Sequence, residues 1–170
     1  GIARSSVVAR DRSLRSSRVE VVSNADGSYQ IQGLPPGRYS LRAQAEGFSN
    51  ERLNELSVID QDLREVDLTL KAGVQLSGRL ETEGGEPVIN AVVRGTPNGG
   101  FWFFRGFDED QSQEDGTFHL KNLPSGDIKV QATHMLKGTT SQVVTGLNPG
   151  EHCKDLILTV KTGTQVTGVV

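Results

Sequence analysis

The sequence predicts an all-β chain built from tandem β-sandwich repeats, and three observations predict it. The first is Asp26-Gly27-Ser28-Tyr29-Gln30-Ile31-Gln32-Gly33-Leu34-Pro35-Pro36-Gly37-Arg38-Tyr39-Ser40-Leu41-Arg42-Ala43, two alternating strands with a turn before and between them. Tyr29 and Ile31 fall on one face and Ser28, Gln30 and Gln32 on the other, the period-two pattern of a half-buried strand. The second is a near copy 89 residues on, where Phe118 stands for Tyr29, Leu120 for Ile31 and Val130 for Leu41. The third is a match at offset 90, in which Leu68-Thr69-Leu70-Lys71-Ala72-Gly73-Val74-Gln75-Leu76-Ser77-Gly78 corresponds to Leu158-Thr159-Val160-Lys161-Thr162-Gly163-Thr164-Gln165-Val166-Thr167-Gly168. Self-similarity at a fixed period is the mark of a repeat architecture.

In chain order, residues 5–9 are the expected strand equivalent to 90–94, followed by an arginine-rich loop and a strand at 19–23. Asp26 and Gly27 turn the chain into the strand carrying Tyr29 and Ile31. The prolines of Leu34-Pro35-Pro36-Gly37 fix φ and remove two donors, so the chain reverses before a strand at 38–45. Gly37, and Gly126 in the copy, are expected at positive φ. Asp115, Gly116 and Pro124 repeat the turn roles of Asp26, Gly27 and Pro35. A strand at 52–58 follows, with one helical turn at 56–63 as an option, and Val66, Leu68 and Leu70 alternate in a closing strand. Lys71-Ala72-Gly73 is a junction with almost no linker, which restricts relative motion and predicts units set end to end. Strands of the second copy are expected at 74–81, 88–95, 101–107, 116–121, 127–133, 140–146 and 155–161.

These boundaries divide the chain into a first repeat at 1–72 that lacks its opening strand, a complete second repeat at 73–162, and the opening strand of a third at 163–170. The sequence reads as an excerpt of a longer protein. The segment Val74-Gln75-Leu76-Ser77-Gly78, then Gly85-Glu86-Pro87-Val88, then the Asp-Gly-x-Phe and Leu-Pro-x-Gly turns, resembles the carboxypeptidase regulatory-like family. That resemblance implies a transthyretin-like (prealbumin-like) Greek-key β-sandwich, grouped with carbohydrate-binding-like folds. It also implies an accessory domain of secreted, periplasmic or cell-surface proteins, in which the sandwich sits beside a catalytic domain without performing the reaction.

The charge of −3 excludes a globally basic nucleic-acid binder, although Arg4, Arg10, Arg12, Arg15 and Arg18 make the start locally positive. The lone Cys153 excludes an internal disulfide framework. No apolar run approaches the ~18 residues of a membrane span, so direct membrane insertion is not expected. No nucleophile elbow, phosphate-binding glycine loop or His-Glu-x-x-His is present, so no catalytic residue and no cofactor are assigned. Resemblance to the isopeptide-bonded domains of surface adhesins would imply a lysine on the opening strand and an acid at Ala43 or Ala132; residues 74–80 contain no lysine and both those positions are alanine, so that cross-link is not expected either.

Three groups are candidate sites. Phe101-Trp102-Phe103-Phe104-Arg105-Gly106-Phe107 holds five aromatics in seven residues, whereas its counterpart in the first copy has none. Core filling is the plain reading; a ligand platform of Trp102 and Phe104 with Arg105, facing a glycan or a surface protein, is the functional one. Asp108, Asp110 and Glu114 offer oxygen ligands of the kind calcium prefers, against the plain reading of a solvated acidic loop. His119, His134 and His152 lack metal-ligand spacing and read as separate surface histidines. Two functions follow: a non-catalytic spacer whose partners are neighbouring domains of its own polypeptide, or a carbohydrate- or protein-binding module using 101–107.

Overall fold

A computed structural model of the chain describes residues 1–12, 18–99 and 108–161, and the regular elements among them are all strands. The first four are β1 (Ser6–Asp11), β2 (Arg18–Val22), β3 (Gly37–Gln44) and β4 (Glu51–Val58), joined antiparallel in the order β2-β1-β3-β4. Alternation sets their faces: Val7, Ala9, Tyr39, Leu41 and Ala43 are buried, while Arg10, Arg38 and Arg42 point outward.

Seven further strands are β5 (Val74–Thr82), β6 (Val92–Pro97), β7 (Asp108–Gln111), β8 (Thr117–Leu123), β9 (Gly126–His134), β10 (Gly138–Leu147) and β11 (His152–Val160). They form two sheets, β10-β9-β6-β7 and β11-β5-β8. Val74, Leu76 and Leu80 of the second sheet and Val93, Ile128 and Val130 of the first share one buried cluster, which makes this half of the chain a closed sandwich.

The sheet β7-β6-β9-β10 has the strand order of β2-β1-β3-β4, down to register. Val7 lies opposite Ala43 and Ala9 opposite Leu41, as Val93 lies opposite Ala132 and Gly95 opposite Val130. Residues 5–9 therefore correspond to 91–95, one residue on from the 90–94 expected. A buried serine fixes that register in both places. Ser23 Oγ accepts the amide of Ser5 and donates to the Ile2 carbonyl, and Ser112 Oγ does the same for Ala91 and Val88.

Among the described residues the N-terminal half shows no counterpart of β11-β5-β8. Residues 28–34 and 62–71, which align with β8 and β11, belong to no strand, contrary to the strands expected around Tyr29 and Ile31 and at 66–70. The alternating pattern is present in both; among the described residues no strand lies between them to complete the ladders. The helical turn at 56–63 is also absent, since β4 runs through Val58. β6 starts at Val92 instead of 88 because Pro87 forms only an isolated bridge to Glu81. The expected strands at 101–107 and 163–170 lie outside the described residues.

Gly126 has φ 107°, as its turn predicts, but Gly37 is not in the left-handed region. Pro36 precedes Gly37 where Ser125 precedes Gly126. With φ fixed at both Pro35 and Pro36 the reversal is completed earlier, and the Tyr39 hydroxyl closes it by donating to the Pro35 carbonyl at 2.9 Å. A β-carbon at Gly37 would meet nothing closer than Tyr39 Cε2 at 3.5 Å. Gly126→Ala is accordingly expected to cost about 1 kcal/mol or more and Gly37→Ala no more than about 0.5 kcal/mol, read from denaturant unfolding of the two variants.

Candidate functional site

The predicted turn residues perform one task twice. Asp26 Oδ1 accepts the Ser28 amide at 2.9 Å and its hydroxyl at 2.7 Å; Asp115 Oδ1 accepts the Thr117 amide and hydroxyl at the same distances. The side-chain bond from Ser28 or Thr117, followed by the backbone bond, holds each carboxyl below its ordinary pKa. Gly27 and Gly116 then take φ 85° and 83°. These are structural positions.

The acidic segment is engaged with the neighbouring strand edge. Asp110 Oδ2 accepts the His119 amide at 2.7 Å and Asp108 Oδ2 the Lys121 amide at 2.5 Å, so both carboxylates cap the free edge of β8. Glu114 sits exposed in the following turn, apart from them. Among the described residues no group of three or more His, Cys, Asp or Glu side chains converges as a metal site. Trp102, Phe104 and Arg105 lie outside the described residues.

Sequence spacing gave no sign that two of the histidines meet. His119 on β8 and His152 on β11 flank β5, and their rings stack with centroids 5.5 Å apart and planes 11° from parallel. His152 Nε2 hydrogen-bonds Ser77 Oγ at 2.7 Å, and His119 Nε2 hydrogen-bonds Gln75 Oε1 at 3.2 Å. A serine beside an imidazole is half of a nucleophilic dyad, but no carboxylate among the described residues hydrogen-bonds either ring, and the cluster lies on an open sheet face. Strand order, with β5 between β8 and β11, was the information needed to find it. On the other half, Arg42 has its pKa lowered by burial first and then by Arg52, Arg10 and Arg18, which marks a positive outer face on β2-β1-β3-β4.

A concavity lies where the C-terminal half has β5. A cleft of about 1430 Å³ opens in the N-terminal half, bordered by residues 28–34 and 58–70 and floored by Leu41, Ala43 and Leu56. Tyr29, Ile31, Val66, Leu68 and Leu70 are half-buried along it, whereas the aligned Phe118, Leu120, Leu156, Leu158 and Val160 are buried against β5. The Tyr29 hydroxyl spans the opening and donates to the Val66 carbonyl at 2.5 Å. Burial first, then Asp67, raises the Tyr29 pKa.

This half of the chain carries the family signature. Residues 1–71 match the carboxypeptidase regulatory-like domain. The match takes in β1–β4 and both borders of the cleft and ends before β5 begins. No curated protein matches the chain. Among solved structures, the minor pilin GBS52 of Streptococcus agalactiae is 12% identical, with 99% of this chain and 87% of that one covered and a TM-score of 0.42. The shaft pilin SpaA of Lactobacillus rhamnosus GG is 7% identical, with 98% and 90% covered and a TM-score of 0.40. A hydroxyquinol 1,2-dioxygenase of Pseudomonas putida is 10% identical, with 83% and 66% covered and a TM-score of 0.42.

The histidine pair yields a pH prediction. Desolvation first, then Lys154, then His119 lower the His152 pKa from the ordinary 6.5. Unfolding restores 6.5, so between the folded pKa and 6.5 the unfolded chain binds more protons. Whatever stability the neutral ring contributes is therefore present above 6.5 and lost as pH falls through that window. In an NMR titration the His152 midpoint is expected below 6.5 and is expected to rise in His119→Gln; a midpoint at or above 6.5 would contradict the assignment.

Proposed function

We propose that this chain is a non-catalytic β-sandwich segment that spaces and presents other domains of a larger secreted, periplasmic or cell-surface protein. The observation that carries this reading is the junction between its halves. Gly73 N donates to the Gly47 carbonyl and Ser49 N to the Lys71 carbonyl, both at 2.9 Å, and Phe48 forms a bridge with Ala72. Gly47 N donates in turn to Asn122 Oδ1 at 2.8 Å, tying a loop of the first half to β8 of the second. A β-carbon on Gly73 would lie 2.8 Å from Asn122 Cα, so backbone is packed on backbone here. A joint fixed from both sides transmits orientation along the chain, which is what a spacer requires and an enzyme does not.

The family match supports an accessory role by resemblance. No helix among the described residues is long and apolar enough to cross a membrane. The spacer reading is tested by ¹⁵N relaxation of the dilute chain. Both halves are expected to fit one rotational diffusion tensor, and separate tumbling of residues 1–70 and 74–161 would overturn the reading. Glycan-array binding lost in Trp102→Ala would favour the binding-module alternative instead.

A further inference from the structure

We propose that the outer face of β2-β1-β3-β4 binds an anionic polysaccharide, a sugar chain carrying sulfate or carboxylate groups, through Arg10, Arg18, Arg42 and Arg52. The proposal goes beyond the spacer reading, which needs no ligand, and it uses a surface other than residues 101–107.

Strand register assembles the four arginines. Arg10 lies directly opposite Arg18 of β2, and Arg42 directly opposite Arg52 of β4. The two pairs fall in adjacent rows of one face, because across β1 and β3 Arg10 stands opposite Ser40 and Val8 opposite Arg42. Burial, then the charges of Arg52, Arg10 and Arg18, lower the Arg42 pKa, so the four groups act on one another. Ser40 points outward between the rows yet is only 6% exposed, and its Oγ accepts a hydrogen bond from Arg52 Nη2 at 3.4 Å, which lays that guanidinium along the face. Among the described side chains of these two rows the acid is Glu20, which accepts from Arg18 and from Ser6 Oγ, both at 2.6 Å. Positive charge is left in excess.

The fold does not ask for it. By the same register Arg10, Arg42 and Arg52 correspond to Thr96, Gln131 and Ser141, all neutral. Where the C-terminal sheet does place an arginine on this face, Arg94, it stands opposite Glu109 and is bonded to it. Like charges directly opposite one another destabilise a sheet. The N-terminal half holds two such pairs in a sheet that the same chain builds elsewhere without them, and a ligand of opposite charge turns that repulsion into attraction.

The surroundings narrow the ligand. A guanidinium presents a fixed fork of donors that suits paired oxygens, as in carboxylate and sulfate groups. The arginines of β1 and β3 stand in the middle of the sheet, where the backbone is already paired on both sides, so a peptide finds no free edge there to extend. The aromatic residue of β1–β4 is Tyr39, on the inner face and 2% exposed, so unstacked bases find no ring to stack on. Recognition by charge and hydrogen bonding over an open face suits a polymer that brings closely spaced anions and hydroxyls.

Isothermal titration of the full chain with a heparin oligosaccharide, at low and at physiological salt, tests this. Saturable binding that weakens with salt is expected. The triple variant Arg10→Thr, Arg42→Gln, Arg52→Ser, which installs the neutral residues of the C-terminal half, is expected to lose affinity about tenfold or more, with an unchanged circular dichroism spectrum and an unliganded Tm no lower than before. A charge-matched triple on the other sheet, Arg79→Gln, Lys121→Gln, Lys154→Gln, is expected to bind like the unsubstituted chain. In that chain, NMR shift changes on adding the oligosaccharide are expected at 8–10, 18–20, 40–42 and 52. Absence of binding at low salt, equal affinity in the first triple, equal loss in both triples, or shifts confined to other residues would overturn the proposal. Tighter binding of polyglutamate, a single-stranded oligonucleotide or phosphatidylserine vesicles than of heparin would overturn the assignment to a polysaccharide.

Discussion

A β-sandwich needs two complete sheets, and in the C-terminal half the second sheet depends on one strand. Among the described residues β5 bridges β8 and β11 in their sheet, and it buries Val74, Leu76 and Leu80 completely. Each such side chain contributes about 1.5–3 kcal/mol on burial, so these three supply on the order of 5 kcal/mol before chain entropy is counted. Removing β5 would expose the inner faces of two strands at once and leave both without ladder bonds.

Among its described residues the N-terminal half shows no such strand. Its four-stranded sheet, Asx turn and buried serine all reproduce those of the C-terminal half, yet its buried core cluster is Ala9, Tyr39 and Leu41, with Ile31, Leu34, Val66 and Leu68 only partly covered. Polar groups compensate in part: the Tyr29 hydroxyl reaches the Val66 carbonyl across the space a strand would fill, where the aligned Phe118 has no such group. The family match and the cleft coincide in residues 1–71.

Much of this was legible in the residues. Alternation with Gly and Pro punctuation located β3, β4, β5 and β8–β11, because those signals are local. Three things were not local. Whether 28–34 and 66–70 become strands depends on a partner, and period-two patterning carries no information about a partner's presence. The meeting of His119 with His152 depends on strand order across β5, 33 residues apart in sequence. The capping of β8 by Asp108 and Asp110 depends on two sheets meeting at an edge, and composition alone reads those residues as a solvated loop or a calcium site. Gly37 was misjudged because the turn motif was matched to Gly126 without weighing the second proline.

The claim on which the rest depends is that, among the described residues, 28–34 and 62–71 have no strand between them as β8 and β11 have β5. Native-state hydrogen exchange on the dilute chain measures it residue by residue. Amides at 29–34 and 66–70 are expected to exchange much faster than their counterparts at 118–123 and 156–160, while β1 and β3 match β6 and β9. Equal protection of the two sets of flanking residues would contradict the account.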